Sequence, residues 1–186
     1  MSIHADALTA VDRGLAVFAL PAGGRIPEPG WQLQATLLPE RLPDLLTDGH
    51  NMGIGCRASG VVALDLDVHG GEDGPGLLGA LADRLGEELP ETFTVATPSG
   101  GRHIYYRAPM GCTIGSVSGG RSPLGHGIDV RGPGNRSGGY LVGPGSLVGG
   151  RPYEILHDVP VAALPRWISD LLGPARDGLS HDWSTP

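Results

Sequence analysis

Seven residues decide the fold of this chain: Val61-Val62-Ala63-Leu64-Asp65-Leu66-Asp67, an apolar run that ends in two carboxylates one residue apart. Side chains alternate between the two faces of a β-strand, so Asp65 and Asp67 point to one face while Leu64 and Leu66 point into a core. Two like charges on one face repel each other unless a cation lies between them. An all-oxygen pair favours a hard divalent cation such as Mg²⁺ or Mn²⁺, and the alternative is a strand end with two solvated acids.

The composition is that of one ordinary domain, because 186 residues with 40% hydrophobic content can bury a real core. No apolar stretch approaches the roughly 20 residues of a membrane span. The N-terminus, Met1-Ser2-Ile3-His4, also lacks the basic and apolar regions of a secretory signal. We therefore expect a cytoplasmic protein with no membrane partner.

The charged residues and cysteines exclude several kinds of chemistry. Cys56 and Cys112 fit no C-x-x-C pattern, which argues against a disulfide framework and against a zinc site. All 13 Lys+Arg residues are arginine, so a mechanism that needs a lysine amine is ruled out. Nonspecific binding along a duplex needs many neutralised phosphates, so the net charge of −7 predicts that any contact with nucleic acid is local.

Hydrophobic periodicity, punctuated by glycine and proline, predicts an α+β domain with a mixed or antiparallel central sheet flanked by helices. Helices are expected near 3–13, 39–47, 76–89 and 161–172. Strands are expected at 15–20, 52–56, 61–67, 93–97, 103–107, 127–131, 139–142 and 153–155.

A second segment of interest is a glycine turn between two expected strands, Thr97-Pro98-Ser99-Gly100-Gly101-Arg102-His103. Backbone amides of Gly100 and Gly101, beside Arg102 and His103, are expected to form a small nest for a phosphate, with Ser99 in the same turn. The alternative is a hairpin turn with a solvated arginine and a histidine that caps a strand.

The third segment, His126-Gly127-Ile128-Asp129-Val130-Arg131-Gly132, places Asp129 and Arg131 on one strand face. The alternative is a surface ion pair, which contributes little. Together the three segments supply three carboxylates, one histidine and at least two arginines at strand ends. That set suits nucleotidyl transfer, in which acids hold two divalent ions and basic groups hold the phosphates.

Four motifs in this order resemble the primase-polymerase domain at the N-terminus of bifunctional replication proteins of plasmids, phages and mobile elements, a branch of the archaeo-eukaryotic primase superfamily. They are D-x-D at 65–67, S-G-G-R-H at 99–103, G-x-D-V-R-G at 127–132 and G-G-Y-x-V-x-P-x-S at 138–146. The similarity runs from about Ala16 to Leu172, and it includes Asn51-Met52-Gly53-Ile54-Gly55 and Gly30-Trp31.

The resemblance implies a DNA primase and DNA-directed DNA polymerase that adds (d)NTPs to a 3′-hydroxyl on a single-stranded or primed DNA template. It implies that Asp65, Asp67 and Asp129 bind two Mg²⁺ or Mn²⁺ ions. It also implies that His103, a catalytic residue, and Arg131 contact the triphosphate, with Arg102 the next choice for a phosphate contact.

The resemblance further implies an archaeo-eukaryotic primase-like catalytic domain over residues 1–174. Residues 175–186, in which large apolar residues such as Trp183 are few, are expected to be a C-terminal linker or tail. A helicase, in the same longer protein or as a separate chain, is the further partner that it suggests. No helicase module follows in this sequence, so we expect either an excised catalytic core or a stand-alone form.

The sequence departs from the family pattern at three places. Relatives often carry lysine where this chain has Arg25, which keeps the charge but changes its geometry. Gly101 stands where the superfamily has serine, so Ser99 is the nearest candidate for the hydroxyl contact. Only 25 residues separate His103 from Asp129, too few for the zinc-bearing insertion of some relatives, and no zinc is expected.

Two other functions compete with this interpretation. Asp65-Leu66-Asp67-Val68 also fits the start of haloacid-dehalogenase-like phosphatases, in which the first aspartate is a nucleophile. That chemistry normally relies on a downstream lysine, and this chain has none. The second alternative is a catalytically inert nucleotide- or DNA-binding module of the same fold.

Overall fold

The computed structural model describes residues 3–47, 49–134 and 136–173. The helices in these ranges are α1 (Ile3–Asp12), α2 (Trp31–Gln34), α3 (Leu42–Leu45), α4 (Cys56–Ser59), α5 (Gly74–Leu85) and α6 (Arg166–Leu172), with a 3₁₀ turn at Pro39–Arg41. The strands are β1 (Val17–Leu20), β2 (Asn51–Gly55), β3 (Val61–Leu66), β4 (Thr94–Ala96), β5 (Arg102–Arg107), β6 (Ile128–Arg131), β7 (Tyr140–Val142), β8 (Leu147–Val148), β9 (Arg151–Pro152) and β10 (Glu154–His157).

The apolar run with the two carboxylates forms β3, which lies inside a five-stranded sheet of order β10-β4-β5-β3-β6. All neighbouring strands of this sheet are antiparallel. A second antiparallel sheet has the order β1-β2-β7, and β8 pairs with β9 in a short hairpin. The predicted α+β class is therefore confirmed, with the sheets antiparallel rather than mixed.

Both faces of β3 are buried, and each belongs to a different core. Leu64 and Leu66, with Val62, pack in a core that also contains residues of α5 and α6. Val61 and Ala63 point the other way, into a core shared with the three-stranded sheet and α1. The predicted burial of Leu64 and Leu66 is confirmed. The strand face that carries Asp65 is also buried at its start, where Val61 and Ala63 belong to the first core.

Helix α5 is shorter than the leucine spacing predicted, and its ends have specific causes. Asp73 precedes it, and the carboxylate accepts a hydrogen bond from the Gly76 amide at 3.0 Å. Gly86 adopts a left-handed conformation with φ of 68°, which closes the helix after Leu85. Leu89 lies outside the helix but still packs against the second core.

The predicted helix over 161–172 begins only at Arg166. Before it, Arg107 donates to the carbonyl of Ala162 at 2.7 Å, and Leu164 donates to that of Arg107 at 2.9 Å. These bonds keep the segment extended beside the end of β5, and Pro165 then precedes the first helical turn.

Three short elements were not predicted: α2, α4 and the β8-β9 hairpin. Among the described helices, none combines the length and the apolar character needed to cross a membrane. The predicted linker over 175–186 lies outside the described residues.

Candidate active site

Three polar side chains form a row across the five-stranded sheet. The pairing register sets Asp65 of β3 opposite His103 of β5 on one side and opposite Asp129 of β6 on the other. Directly opposite residues in an antiparallel pair project from the same face, with Cβ atoms about 4.5–5.5 Å apart. Residues from three distant parts of the sequence thus meet in one row.

Asp67 lies just beyond the end of β3, two residues along from Asp65. Its amide donates to the carbonyl of Gly127 at 2.8 Å, and its carbonyl accepts from Gly74 at 2.9 Å. Burial raises the pKa of the Asp67 carboxyl, and the negative charges of Asp65 and Asp129 raise it further. Several like charges therefore converge here, which is the electrostatic condition that a bound cation relieves.

The Asp65 carboxylate behaves differently, because basic groups surround it. Burial acts to raise the pKa of Asp65, but a hydrogen bond and charge from His103, together with the charge of Arg131, outweigh it. The pKa of Asp65 consequently lies below its ordinary value. This carboxylate is therefore negatively charged at neutral pH.

His103 is fixed in place by contacts with both sheets. It is 3% exposed, and its Nδ1 lies 3.1 Å from the carbonyl oxygen of Val142 on β7. A carbonyl only accepts, so Nδ1 carries a hydrogen and Nε2 faces Asp65 Oδ1 at 3.4 Å. The ring centroid of Tyr153 lies 5.5 Å from that of His103. The imidazole has little freedom to turn.

Arg131 and Asp129 form a half-buried pair on β6. The Arg131 guanidinium donates to Asp129 Oδ2 at 3.1 Å, and the other carboxylate oxygen accepts from the Gly119 amide at 3.1 Å. The ion pair that was the alternative interpretation is thus present. The pair lies beside Asp65 in the sheet rather than on an outer surface. It therefore also holds the Asp129 carboxylate and the Arg131 guanidinium next to Asp65.

The glycine turn before β5 packs tightly against the end of β3. A Cβ on Gly101 would overlap the carbonyl oxygen of Leu66, so no side chain fits there. Gly100 adopts φ of 92°, and its amide donates to the carbonyl of Thr97 at 3.0 Å. The Ser99 hydroxyl lies 2.9 Å from that of Thr97. The Gly100 amide is used inside the turn, so the expected phosphate nest lacks this donor.

Arg102 is not brought together with the other predicted site residues. It neighbours His103 on β5, so its side chain projects from the opposite face of the sheet. There it lines a groove with Leu66, Leu78 and Tyr106. Its contact with phosphate stays a prediction that this placement does not favour.

A cavity of about 460 Å³ lies beside the row, between the two sheets. Asp65, His103 and Arg131 line one wall, and Tyr140 of β7 lines the other. A volume in this range accommodates a nucleotide-sized ligand. Sequence reasoning did not assign Tyr140, Tyr153, Arg25, Ser116 or Ser118 to the site, although all of them line it. For Arg25, the sequence did offer a signal, because relatives of the resembled family often carry a basic residue, lysine, at this position.

Asp67 also belongs to a further cluster at the end of β3. One ligand atom each of Asp67, His69 and Glu72 lie within 4.8 Å of one another. The His69 side chain is 62% exposed, and Glu72 also accepts a contact from His126 Nδ1 at 2.7 Å. His69 and Glu72 thus add one nitrogen and one oxygen atom that could bind a cation held by Asp67.

The family model of the N-terminal domain of bifunctional DNA primase/polymerase matches residues 7–167, which is most of the chain. Among curated proteins, none matches the chain significantly. The match spans every residue of the row, of the glycine turn and of the cavity described above.

Proposed function

The chain belongs to the Prim-Pol family of bifunctional DNA primase/polymerase N-terminal domains, and we propose that it is an active template-dependent nucleotidyltransferase. Members of this family are DNA primase/polymerase-type enzymes that act on DNA and nucleotides and typically depend on metal. The proposed reaction is the addition of (d)NTPs to a 3′-hydroxyl on a DNA template, in the replication of a plasmid, phage or mobile element. The helicase partner and the cytoplasmic location stay predictions.

One observation carries the proposal: the row of Asp129, Asp65 and His103 at the edge of a cavity of nucleotide size. Nucleotidyl transfer needs no covalent intermediate on the protein, so catalysis consists of positioning and charge stabilisation. A row of acids beside fixed basic groups supplies both.

The donor set fits one or two divalent cations. Asp65, Asp67 and Asp129 offer only oxygen atoms, as Mg²⁺ and Mn²⁺ prefer. Burial, followed by the negative charges of Asp65 and Asp129, raises the pKa of Asp67, and a bound cation would offset those charges. When bound, such ions polarise the attacking hydroxyl and the α-phosphate. We assign these three residues as the metal ligands.

The remaining site residues act on the nucleotide. We assign His103 and Arg131 to the triphosphate, because both line the cavity and both are held in fixed orientations. Their preorganisation lowers the entropic cost of binding. Gly101 contributes by letting the turn approach β3 closely, with Ser99 and Gly100 shaping the same turn.

The test is incorporation of a labelled nucleotide into a primed DNA template with Mg²⁺ or Mn²⁺. Extension that EDTA abolishes would support the proposal. Nucleotide binding without any extension would instead identify the inert binding module. Release of phosphate without a polymer product would identify the phosphatase. A second assay on unprimed single-stranded DNA, with and without ribonucleotides, tests primer synthesis.

A further inference from the structure

Arg25 lies on a loop whose backbone is held on both sides of the residue. The buried Asn51 donates from Nδ2 to the carbonyl of Gly24 at 2.9 Å. The Tyr140 hydroxyl donates to the carbonyl of Arg25 itself at 3.2 Å. The loop is thus attached to β2 and β7, and it carries Arg25 to the rim of the cavity although the residue is exposed.

Arg25 and Tyr153 both line the cavity, and the Arg25 guanidinium is close enough to the Tyr153 hydroxyl to act on its pKa. Burial raises the pKa of Tyr153, while the charge of Arg25 and a hydrogen bond from it act in the opposite direction. Within the described residues, Arg25 makes no salt bridge with a carboxylate, unlike Arg131. A positive charge that lines a cavity and lacks an acidic partner is available to an anionic ligand.

Arg25 and Arg131 occupy different parts of the cavity. Arg131 lies on β6, at one edge of the five-stranded sheet, whereas Tyr153, the neighbour of Arg25, directly precedes β10 at the other edge. His103 on β5 lies between these two edges, and its ring faces that of Tyr153. The basic groups therefore run from Arg131, beside the acids, through His103 to Arg25. A triphosphate whose α-phosphate lies at the acids would extend along the same direction.

We propose that Arg25, positioned by Tyr153, binds the terminal phosphate of the incoming nucleoside triphosphate. This inference rests on the proposed function, because the acids define which end of the cavity holds the α-phosphate. The planar guanidinium has five donors in a fork that matches phosphate oxygens. The Tyr153 hydroxyl restrains this fork, which makes Tyr153 a positioning residue.

The experiment measures equilibrium binding of a fluorescent deoxynucleoside triphosphate, diphosphate and monophosphate in Mg²⁺ without a template. Wild type is expected to bind the triphosphate most tightly. Arg25→Gln should weaken triphosphate binding about tenfold or more, the usual loss for one charge-assisted contact, and leave the diphosphate and monophosphate unchanged. Arg25→Lys should retain part of the preference, because it keeps the charge without the fork.

Two further variants separate this role from a general effect of charge or folding. Arg84→Gln removes an exposed arginine on α5, and it should leave all three affinities unchanged. Tyr153→Phe keeps the ring against His103 but removes the hydroxyl, so it should reduce triphosphate preference by a smaller factor, about threefold. Thermal unfolding of each variant verifies that it is folded.

Three outcomes would overturn the inference. The first is an equal loss of triphosphate, diphosphate and monophosphate affinity in a folded Arg25→Gln protein. The second is unchanged nucleotide binding, and the third is a loss confined to affinity for a primed template, which would assign Arg25 to DNA. The binding assay requires no turnover, so a wild type that never extends primers but shows the Arg25-dependent preference would refute only the proposed function.

Discussion

Replacing Asp67 by asparagine should stabilise the protein in the absence of metal and abolish nucleotide addition. The Asp67 carboxylate is partly buried at the end of β3, where burial and the charges of Asp65, Asp129 and Glu72 all raise its pKa. Asparagine has nearly the same size and keeps a polar oxygen. The substitution therefore removes the repulsion without opening a cavity.

The size of the stabilisation follows from Coulomb's law. Side chains two residues apart on one strand face lie about 6 Å apart, and at an effective dielectric constant of about 40 the like charge of Asp65 then costs about 1.4 kcal/mol. His69, whose Nε2 lies 3.4 Å from Asp67 Oδ1, offsets part of this cost. We expect a net gain of about 1 kcal/mol, which in a protein of this size raises Tm by about 2–4 °C.

Added metal should remove the advantage in thermal stability that Asp67→Asn has over wild type. A ligand that binds only the folded state stabilises it by about 1.4 kcal/mol at ten times its dissociation constant. Wild type should gain this stability from Mg²⁺ or Mn²⁺, whereas Asp67→Asn should gain much less because it lacks one ligand. The Tm advantage of the variant in EDTA should thus disappear as metal is added.

The assay is thermal unfolding in EDTA and across a metal titration, with primer extension measured on the same samples. Asp83→Asn is the matched control, because Asp83 is an exposed acid on α5 outside the row, and its Tm should not respond to metal differently from wild type. A destabilised Asp67→Asn protein in EDTA would refute the repulsion argument. Full extension activity in that variant would remove Asp67 from the mechanism.

Three other substitutions test separate parts of the structure. His103→Ala should raise the nucleotide KM and lower kcat/KM about tenfold or more, and unchanged steady-state constants would leave His103 purely structural. Burial raises the pKa of the Cys56 thiol to about 12, so above about pH 8.5 the thiol ionises only in the unfolded protein. The free energy of unfolding should therefore fall by about 1.4 kcal/mol per pH unit. Urea unfolding between pH 8 and 10 measures this slope, which should be smaller in Cys56→Ala. Within the described residues, the buried Tyr105 hydroxyl has no hydrogen-bond partner, so Tyr105→Phe should leave stability equal or raise it by about 1 kcal/mol. A clear loss of stability in denaturant unfolding would contradict this expectation.

The parts of the site that lie on single strands could be predicted from the sequence. The two-residue period alone places Asp65 and Asp67 on one face, and it places Asp129 and Arg131 likewise. The same period could have separated Arg102 from His103, since they are neighbours on β5, but the two were assigned to one phosphate nest. The structure puts Arg102 on the α5 side of the sheet.

The second wall of the cavity could not be predicted, because it depends on contacts between the two sheets. His103 bonds the carbonyl of Val142, and Tyr153 packs against the imidazole, yet both residues lie about forty or more positions away along the chain. Side-chain contacts between residues so far apart along the chain are not encoded in a local sequence pattern. Helix ends were missed for a simpler reason: the left-handed Gly86 outweighs the leucine spacing that extends to Leu89.

Some residues of the family motifs act by shaping the cavity rather than by touching a ligand. A Cβ on Gly53 would overlap the ring of Phe18, which stacks on Trp31 with ring centroids 4.3 Å apart. The ring centroids of Trp31 and Tyr140 lie 5.2 Å apart. Tyr140 lines the cavity, and its hydroxyl donates a hydrogen bond to the carbonyl of Arg25. A side chain at position 53 would therefore displace an aromatic stack that ends at the cavity wall. Gly53 is thereby linked through packing alone to the cavity wall that carries Arg25, because close-packed side chains transmit such a displacement.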